Sequence, residues 1–330
     1  MLLSWQPFTI HLTQPFHIAH GVSNTRDNVL VRLDGGRGEA AAVSYHHETQ
    51  DKIIAYLAKV DLSSVHDPEH LEDIIGALPP GSAAARAAVD VALHDAWGQL
   101  HGEPLYRLLG LNPERTPLTS LTIPLAPPEV MAERAREAPS PVLKLKLGSD
   151  DDVARLGAVR QATNASLRAD ANGGWDLARA QQMLPLLLEH GVELIEQPLP
   201  AGDLDGLRAL SKLRARPAIF VDESIKNASD IIRHSGLVEG VVIKLAKSGG
   251  IRGALQQIAV ARALGLEVML GCMIETSIAV TAAAHLASLA QYVDLDGPLL
   301  IKNDPFDGVR YDQGRLLLPT GPGLGLEPRA

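Results

Sequence analysis

The second half of the chain alternates between short β-rich runs and longer stretches with helical periodicity. The β-rich runs are eight in number and read LTSLTI (118–123), VLKLKLG (142–148), SLRADA (166–171), ELIEQP (193–198), AIFVDE (218–223), GVVIKLA (240–246), EVMLGC (267–272) and YVDLDG (292–297). Between these runs, apolar residues recur at three- and four-residue steps, as an amphipathic helix requires. Gly191 and Gly265 stand where two of the predicted helices should end.

Strands spaced about 24 residues apart and separated by helices favour a closed parallel barrel of the TIM type, (β/α)7β, over an open sheet. The alternative is a doubly wound nucleotide-binding fold, which needs a GxGxxG turn after an early strand. The glycines of SGGIRG (248–253) follow the sixth strand, and TGPGLG (320–325) has no helix after it. We interpret both motifs as turns, because turn geometry is the most frequent use of glycine.

The first third of the chain has a different pattern, in which strand-like runs come first and helical stretches follow. The Ala-rich stretch 82–102 predicts a long helix with Val89, Leu93, Trp97 and Leu100 at core spacing. Strands followed by helices suggest a separate α+β domain. We therefore predict three units: an α+β domain over 1–115, the barrel over 116–298 and a C-terminal segment over 299–330 that returns to the first domain.

Composition and charge exclude several classes of protein. A net charge of −9 and a pI near 5.7 lack the basic footprint of a nucleic-acid binder. Cys272 is the single cysteine, so neither an intrachain disulfide nor a cysteine-based zinc site can form. The N-terminus has no Lys or Arg before Arg26, and no segment approaches the roughly 18 apolar residues of a membrane span. We therefore expect a cytoplasmic protein without a membrane partner.

Carboxylates end three successive predicted strands: Asp170 in DANGGW, Glu196 in IEQPLP and Asp222 in VDES. The C-terminal ends of barrel strands build the active site, so these side chains should converge. Convergence of bare carboxylates would be repulsive, and a divalent cation removes the repulsion. Ligation by oxygen alone favours Mg²⁺, with Mn²⁺ as the alternative.

Lysines occupy strand ends on opposite sides of the predicted barrel. Lys144 and Lys146 lie two apart on the second strand and share a face, while the sixth strand carries Lys244 and, three residues on, Lys247. In an eight-stranded barrel, strands two and six face each other, so Lys146 and Lys244 would flank a bound substrate. A lysine near a cation and another lysine has a lowered pKa and becomes a usable base. This arrangement suits removal of a proton beside a carboxylate and its return from the other face.

Together these motifs resemble the enolase superfamily, and within it the muconate-lactonizing-enzyme subgroup. The resemblance runs along nearly the whole chain, through RGEAA, ALHDAWGQLHGEPLYRLLG, KLKLG, DANGGW, IEQPLP, VDES, IKLAKSGGI, GCMIETSI and DLDGP. It implies that the N-terminal α+β domain caps the barrel. It also implies roles for individual residues: Mg²⁺ ligands at Asp170, Glu196 and Asp222, acid/base catalysis by Lys146 and Lys244, and, for Lys144, a lowered Lys146 pKa and contact with the substrate carboxylate.

Within the subgroup, the resemblance points to the dipeptide epimerases. The Asp294-x-Asp296 pair on the eighth strand is what the free α-ammonium of a dipeptide would need. Arg26 lies in GVSNTRDN, a predicted flexible loop that in this family closes over the barrel mouth, and its charge is consistent with an acidic side chain such as that of L-Ala-D/L-Glu. Thr122 resembles a substrate-facing position, and Lys247 completes the predicted substrate-binding set. The expected reaction is epimerisation of the C-terminal residue of an L-Xaa dipeptide, by two-base 1,1-proton transfer through a metal-stabilised enediolate.

Other activities remain open at this point. An N-acylamino-acid racemase, an o-succinylbenzoate synthase or a muconate cycloisomerase would share both lysines and all three ligands, and only the acidic pair discriminates among them. A barrel kept for binding alone is disfavoured, because buried unpaired acids and amines are destabilising. We interpret His20, His46 and His47 as surface or structural residues and Glu223 and Glu275 as groups that orient the site. No pattern sets the oligomeric state, so a homo-oligomer remains an alternative.

Overall fold

The computed structural model describes residues 1–19, 21–65 and 67–329, and its chain begins with a three-stranded antiparallel sheet. The sheet runs in the order β1 (Leu3–Ile18), β2 (Gly21–Leu33) and β3 (Gly36–Ala40). The segment GVSNTRDN, which we predicted as a flexible loop, is the first part of β2, so that prediction is wrong. Its backbone is paired with β1, for example at Arg26 opposite Ile10, and cross-strand pairing overrides the weak strand propensity of these residues. His20 lies outside the described residues.

Four helices follow this sheet, and the longest packs directly on it. They are α1 (Gln50–Leu57), α2 (Leu71–Ala77), α3 (Ala83–His101) and α4 (Leu105–Leu108). The Ser82 hydroxyl accepts the N–H of Ala85 and so caps the start of α3. A Cβ at Gly38 of β3 would lie 1.9 Å from the Ala88 carbonyl, so the Ala-rich helix and the strand touch through their backbones. Of the predicted core residues, Val89 and Leu93 are fully buried, whereas Leu100 in the last turn is 60% exposed.

The barrel predicted from the strand–helix repeat is confirmed. Its strands are β4 (Leu121–Ile123), β5 (Val142–Lys146), β6 (Ser166–Asp170), β7 (Val192–Glu196), β8 (Ala218–Val221), β9 (Gly240–Lys244), β10 (Glu267–Gly271) and β11 (Tyr292–Asp294). Each strand pairs in parallel with the next along the chain. A parallel bridge between Thr119 and Val293 joins the first strand region to the last and closes the ring.

Helices connect the barrel strands and cover their outer faces. They are α5 (Pro128–Glu137), α6 (Asp152–Ala162), α7 (Leu177–Glu189), α8 (Leu204–Leu210), α9 (Ala228–His234), α10 (Leu245–Ser248), α11 (Ile251–Ala263) and α12 (Ser277–Leu286). Inside the ring, Leu194, Phe220, Val242 and Met269 form a separate buried cluster. This apolar layer fills the barrel below the polar strand ends, as expected for a packed barrel interior.

The C-terminal residues form two short antiparallel pairs and contact the first part of the chain. The pairs are β12 (Phe306–Asp307) with β15 (Glu327–Pro328) and β13 (Arg310–Asp312) with β14 (Arg315–Leu317). The Asp95 carboxylate on α3 accepts the N–H of Leu324 at 2.8 Å, and Gly323 packs against Asp95 with φ of 66°. The TGPGLG motif is therefore a turn that packs against α3.

The exact domain boundaries at 115 and 298 remain predictions. Among the described residues, no helix is long and apolar enough to cross a membrane.

Candidate active site

The register of the barrel strands brings the predicted polar residues to one rim. Lys146 is paired with Asp170, and Asp170 in turn with Glu196, on three neighbouring strands. On the other side of the ring, Gly271 is paired with both Lys244 and Asp294. Because these strands are parallel and in register, the functional side chains end at the same height above the apolar layer.

Three lysines and four carboxylates meet at this rim, and all of them are buried. The Lys146 Nζ lies 2.6 Å from Asp170 Oδ2, and the Lys244 Nζ lies 2.7 Å from Asp222 Oδ2. Their neighbour Lys144 is the most heavily paired, with its Nζ 2.6 Å from Asp294, 2.7 Å from Glu196 and 3.1 Å from Asp170. The structure therefore brings the predicted lysines and acids of six strands to one rim, where they form two neighbouring groups of ion pairs.

A cavity lies between this cluster and the N-terminal sheet. The barrel contributes Thr122, Lys146 and Lys244 to its lining, and the N-terminal part contributes Arg26 and Tyr45. The last two also line a second depression, which continues outward between β2 and the start of α1. A small molecule bound against the lysines would therefore touch both parts of the chain.

Several oxygen atoms near Asp170 lack a hydrogen-bond partner, which makes this corner suited to a hard cation. These atoms are Glu196 Oε1, Asn172 Oδ1 and Glu223 Oε2. Burial, together with the charges of Asp170 and Asp222, raises the pKa of Glu196 to about 8, as expected where negative charge is concentrated. Across residues 1–19, 21–65 and 67–329, no three His, Cys, Asp or Glu side chains already form a metal-binding group, and lysine ammonium groups pair with the carboxylates instead. An all-oxygen donor set of this kind fits Mg²⁺.

The pKa of Lys244 is set by the carboxylates that surround it. Burial alone would lower its pKa, but the nearby Asp222 and Glu196 carboxylates outweigh burial and hold the pKa well above its ordinary value. For Lys144, too, burial lowers the pKa but nearby carboxylates, Asp294 above all, outweigh burial and raise it. The acids on the adjoining strands thus stabilise the ammonium form of Lys244, whereas the lowered pKa that we predicted requires a cation beside the lysine and stays a prediction.

The two acids at the end of the eighth strand, Asp294 and Asp296, lie in different environments. Asp294 accepts the Ser120 hydroxyl at 2.6 Å and pairs with Lys144, so its charge is already neutralised. Asp296 lies beyond the end of β11 and accepts the N–H of Thr122 at 2.7 Å. Burial and the neighbouring Asp294 raise the pKa of Asp296 to about 6. Of the two carboxylates, Asp296 is therefore the one that lacks a cationic side chain as its hydrogen-bond donor.

Arg26 contributes a positive charge to the N-terminal wall of the cavity. Its guanidinium donates to the Ser23 hydroxyl and to the Thr25 carbonyl, and burial lowers its pKa. Within the described ranges, no Asp or Glu forms an ion pair with it. Lys247, by contrast, lies on α10 with its ammonium against the Asp222 carboxylate and main-chain O, and it is not among the residues that line the cavity.

Three residues that contribute to the site were not singled out from the sequence. Gln197 adopts a positive φ of 40°, and its Oε1 accepts the Asp222 N–H at 2.9 Å, which orients that strand end. Asn172 has a φ of 45° and donates to Glu223 at 3.1 Å. Gln197 directly follows Glu196, and Asn172 lies two residues after Asp170. A polar residue just after a strand-ending carboxylate was the sequence signal that could have identified both. Tyr45, in a 3₁₀ turn, had no such signal.

Two further residues, Glu275 and Cys272, belong to the walls of the site. Glu275 accepts the Met273 N–H at 2.9 Å and so fixes the loop after β10. Cys272 lines the cavity, and burial raises the pKa of its thiol well above the ordinary value. A thiol held in its neutral form is a poor nucleophile, so Cys272 serves as part of the cavity wall.

Comparison with known proteins defines the family. Residues 7–110 match the mandelate racemase / muconate lactonizing enzyme N-terminal domain, and residues 129–330 match the enolase C-terminal domain-like family. The chain therefore belongs to the enolase superfamily, in the group of mandelate racemase and muconate lactonizing enzyme.

Individual relatives are similar over almost their whole length. An L-Ala-D/L-Glu epimerase from Bacteroides thetaiotaomicron is 38% identical over 99% of this chain and 88% of its own. The substrate-liganded L-Ala-D/L-Glu epimerase from Bacillus subtilis is 33% identical, covers 100% of this chain and 99% of its own, and superimposes with a TM-score of 0.92. A dipeptide epimerase from Enterococcus faecalis, complexed with Mg and L-Leu-L-Tyr, is 32% identical with a TM-score of 0.90 over 98% of both chains.

Proposed function

We propose that this protein epimerises the C-terminal residue of an L-Xaa dipeptide. The observation that carries the proposal is the pair of buried lysines, Lys146 and Lys244, on facing strands of one barrel mouth, with Asp296 at the rim between them. Two amines on opposite sides of a cavity suit proton exchange at a carbon between them. A carboxylate without a cationic partner suits a substrate that brings its own ammonium group. Dipeptide epimerases of similar sequence and fold support this reading.

Asp170, Glu196 and Asp222 would hold a divalent cation, with Mg²⁺ as the expected ion and Mn²⁺ as the alternative. Their burial and the unpartnered Glu196 Oε1 support this assignment, and structural relatives bind Mg. The cation supplies positive charge to the substrate carboxylate while negative charge develops on it. With a cation bound, the charges of these carboxylates would be neutralised by the cation instead of by the lysine ammonium groups. The lysines would then be free for catalysis.

The chain's own residues then carry the proton transfer. One lysine, as the neutral amine, takes the α-proton of the C-terminal residue, and the opposite lysine, as the ammonium, donates a proton to the other face. The two lysines exchange roles in the reverse direction, so both epimers are substrates. Lys144 faces the same acids and would hold the substrate carboxylate, and Lys247 would position Asp222.

Substrate selection follows from the walls of the cavity. Asp296, with Asp294 behind it, binds the α-ammonium, and Thr122 fixes Asp296 through its N–H. Arg26 faces the C-terminal side chain from the N-terminal sheet, and a half-buried guanidinium without a carboxylate partner favours an acidic side chain. A cytoplasmic location and a homo-oligomeric state remain predictions.

A dipeptide library in D₂O tests the proposal. The protein, with Mg²⁺, is incubated with L-Ala-L-Xaa and L-Xaa-L-Glu dipeptides, and deuterium at the C-terminal α-carbon is read by mass spectrometry. We expect one solvent deuteron per molecule turned over, with acidic C-terminal residues labelled fastest. Labelling of N-acylamino acids but of no dipeptide would contradict the proposal and favour a racemase of N-acylated substrates.

A further inference from the structure

A buried carboxylate from the N-terminal part of the chain contacts the segment that follows Lys244. Asp90 on α3 is fully buried, and its Oδ1 accepts the Ile251 N–H at 2.6 Å. Ile251 is the first residue of α11, which follows β9 and the short α10. His94, one turn along α3, donates from Nδ1 to the Asp90 carbonyl at 2.8 Å and lies 3.4 Å from its carboxylate. Asp90 therefore holds this part of the barrel from outside the barrel.

The connection between Asp90 and Lys244 is short and stiff. Gly250 has a φ of 112°, and a Cβ there would lie 2.4 Å from the Asp90 carboxylate, so the turn fits closely against this acid. The Gly250 N–H donates to the Leu245 carbonyl at 3.0 Å. The Ser248 hydroxyl lies 3.0 Å from the Lys244 carbonyl, to which it donates. Asp90 is thus linked to Lys244 by a hydrogen bond to Ile251 and by the single turn 244–250, which has hydrogen bonds of its own.

Apolar packing holds the same segment from a second side. Ala246 of α10 is buried in a cluster with Ala41, Val43 and Met273. Ala41 and Val43 lie in the chain just after the last strand of the N-terminal sheet, and Met273 lines the cavity. The chain directly after Lys244 is therefore enclosed by residues from the first part of the molecule.

Lys146 is held in a different way. The loop after β5 is fixed by Asp152, whose carboxylate accepts the N–H of Gly148 at 2.8 Å and of Ser149 at 2.9 Å. The Trp175 Nε1–H also donates to Asp152 at 2.8 Å. All of these residues belong to the barrel, and none of the hydrogen bonds that hold this loop comes from α3.

We infer that Asp90 is a positioning residue for Lys244 and acts on only one of the two proton transfers. This inference rests on the proposed function, because it assigns one lysine to each face of the substrate. A shift of about 1 Å in a catalytic group can cost about 100-fold in rate. Loss of Asp90 would release the Gly250 turn and move Lys244. Lys146 would stay in place, because Asp152 still fixes the loop that follows it.

The test measures α-proton exchange separately for the two epimers of one dipeptide that the wild type turns over. Each epimer is supplied alone in D₂O with Mg²⁺, and deuterium in the recovered starting epimer is measured at early times. Lys244→Ala identifies the epimer whose exchange depends on Lys244. For that epimer, we expect Asp90→Ala to lower the exchange rate about 10- to 100-fold, while exchange of the other epimer stays close to that of the wild type.

Two variants serve as controls for a role in folding alone. Asp90→Asn keeps an oxygen that accepts the Ile251 N–H and should restore most of the exchange. Asp152→Ala is the matched change on the other side, and it should slow the opposite epimer. If Asp90→Ala does not fold, Ser248→Ala removes the hydroxyl bond to Lys244 and should slow the same epimer by a smaller factor.

Equal slowing of both epimers by Asp90→Ala and Ser248→Ala, or no slowing by either in a folded protein, would overturn the inference. In that case an active wild type leaves the proposed function intact. A wild type that exchanges neither epimer of any dipeptide contradicts the proposed function itself, so the two failures are distinct.

Discussion

Lys146 and Lys244 carry the same functional group on two sides of the barrel mouth, but different parts of the chain hold them in place. Lys146 ends a strand whose following loop is fixed by Asp152, within the barrel. Lys244 ends a strand whose following turn is fixed by Asp90, from α3 of the N-terminal part. Chemically the two positions are near-equivalent, since each ammonium pairs with one buried carboxylate at about the same distance.

The difference shows how a near-symmetric reaction can depend on an asymmetric fold. A proton transfer that uses both faces needs both lysines at the correct distance from one carbon. Hydrogen bonds within the barrel hold the loop at one of these positions, and a hydrogen bond from the N-terminal part holds the turn at the other. Because Arg26 and Tyr45 line the cavity from that same N-terminal part, substrate selection and the geometry of Lys244 share one structural unit.

Removal of either lysine should have the largest effect. Lys146→Ala and Lys244→Ala should each lower the rate of epimerisation by about 100- to 10,000-fold, the usual contribution of a positioned acid–base group. Mg²⁺ binding, measured by titration calorimetry, should persist in both variants because neither lysine is an expected ligand. Full activity in either variant would contradict the two-base mechanism.

Asp296→Asn should reduce turnover on both faces equally. Asp296 follows β11, which lies two strands from β5 and two strands from β9 around the ring, so its loss favours neither lysine. We expect kcat/KM for free dipeptides to fall at least about 10-fold, as for removal of one partner of a buried charge pair. Steady-state kinetics with each epimer measures this. An unchanged kcat/KM would remove the main argument for a substrate ammonium.

The loop on the Lys244 side should make stability depend on pH. Burial and the nearby Glu39 carboxylate raise the pKa of Glu275 to about 8, against an ordinary value of 4.5. The folded state therefore retains a proton that the unfolded state loses, so the free energy of unfolding should fall as pH rises from about 4.5 to about 8. Urea denaturation across this range should show a decrease of about a few kcal/mol. Glu275→Gln should make this decrease smaller, and the raised pKa values of Glu196 and Asp296 should leave the remainder. A Glu275→Gln variant with an unaltered pH profile would assign the dependence elsewhere.

A glycine pair gives the smallest and most local comparison. Gly250→Ala places a methyl group against Asp90 in a backbone conformation with φ of 112°, and should destabilise the fold by about 1–3 kcal/mol. Gly157 on α6, behind Lys146, has no atom within 4 Å of its Cβ position. Gly157→Ala should therefore stabilise the fold by about 0.5–1 kcal/mol, because alanine is the better helix former. Thermal unfolding of both variants checks the opposite signs, and the same sign for both would contradict the tight fit at Gly250.

Much of this arrangement follows from the sequence, for physical reasons. Buried parallel strands read as short apolar runs, so the rim residues Asp170, Glu196 and Asp222 could be placed by counting strand ends. Lys146 and Lys244 were found in the same way, since a lysine within a barrel strand contradicts its apolar surroundings. Their family motifs then supplied the roles.

Contacts between distant parts of the chain could not be read in this way. Asp90 and Ile251 are 161 residues apart, and nothing in the Ala-rich pattern of α3 marks Asp90 as a partner of the barrel. The strand at Arg26 was mistaken for a loop because its pairing with β1 overrides its composition. The pKa of Lys244 depends on acids contributed by other strands, so its direction required the folded geometry.

The most direct test of the two-base mechanism measures α-proton exchange in the two lysine variants, with each epimer of one dipeptide supplied alone in D₂O. A two-base mechanism predicts a mirror-image result: Lys146→Ala exchanges one epimer only, and Lys244→Ala exchanges only the other. Loss of exchange for both epimers in one variant, with the other variant unaffected, would show that a single lysine serves both faces and would contradict the two-base account.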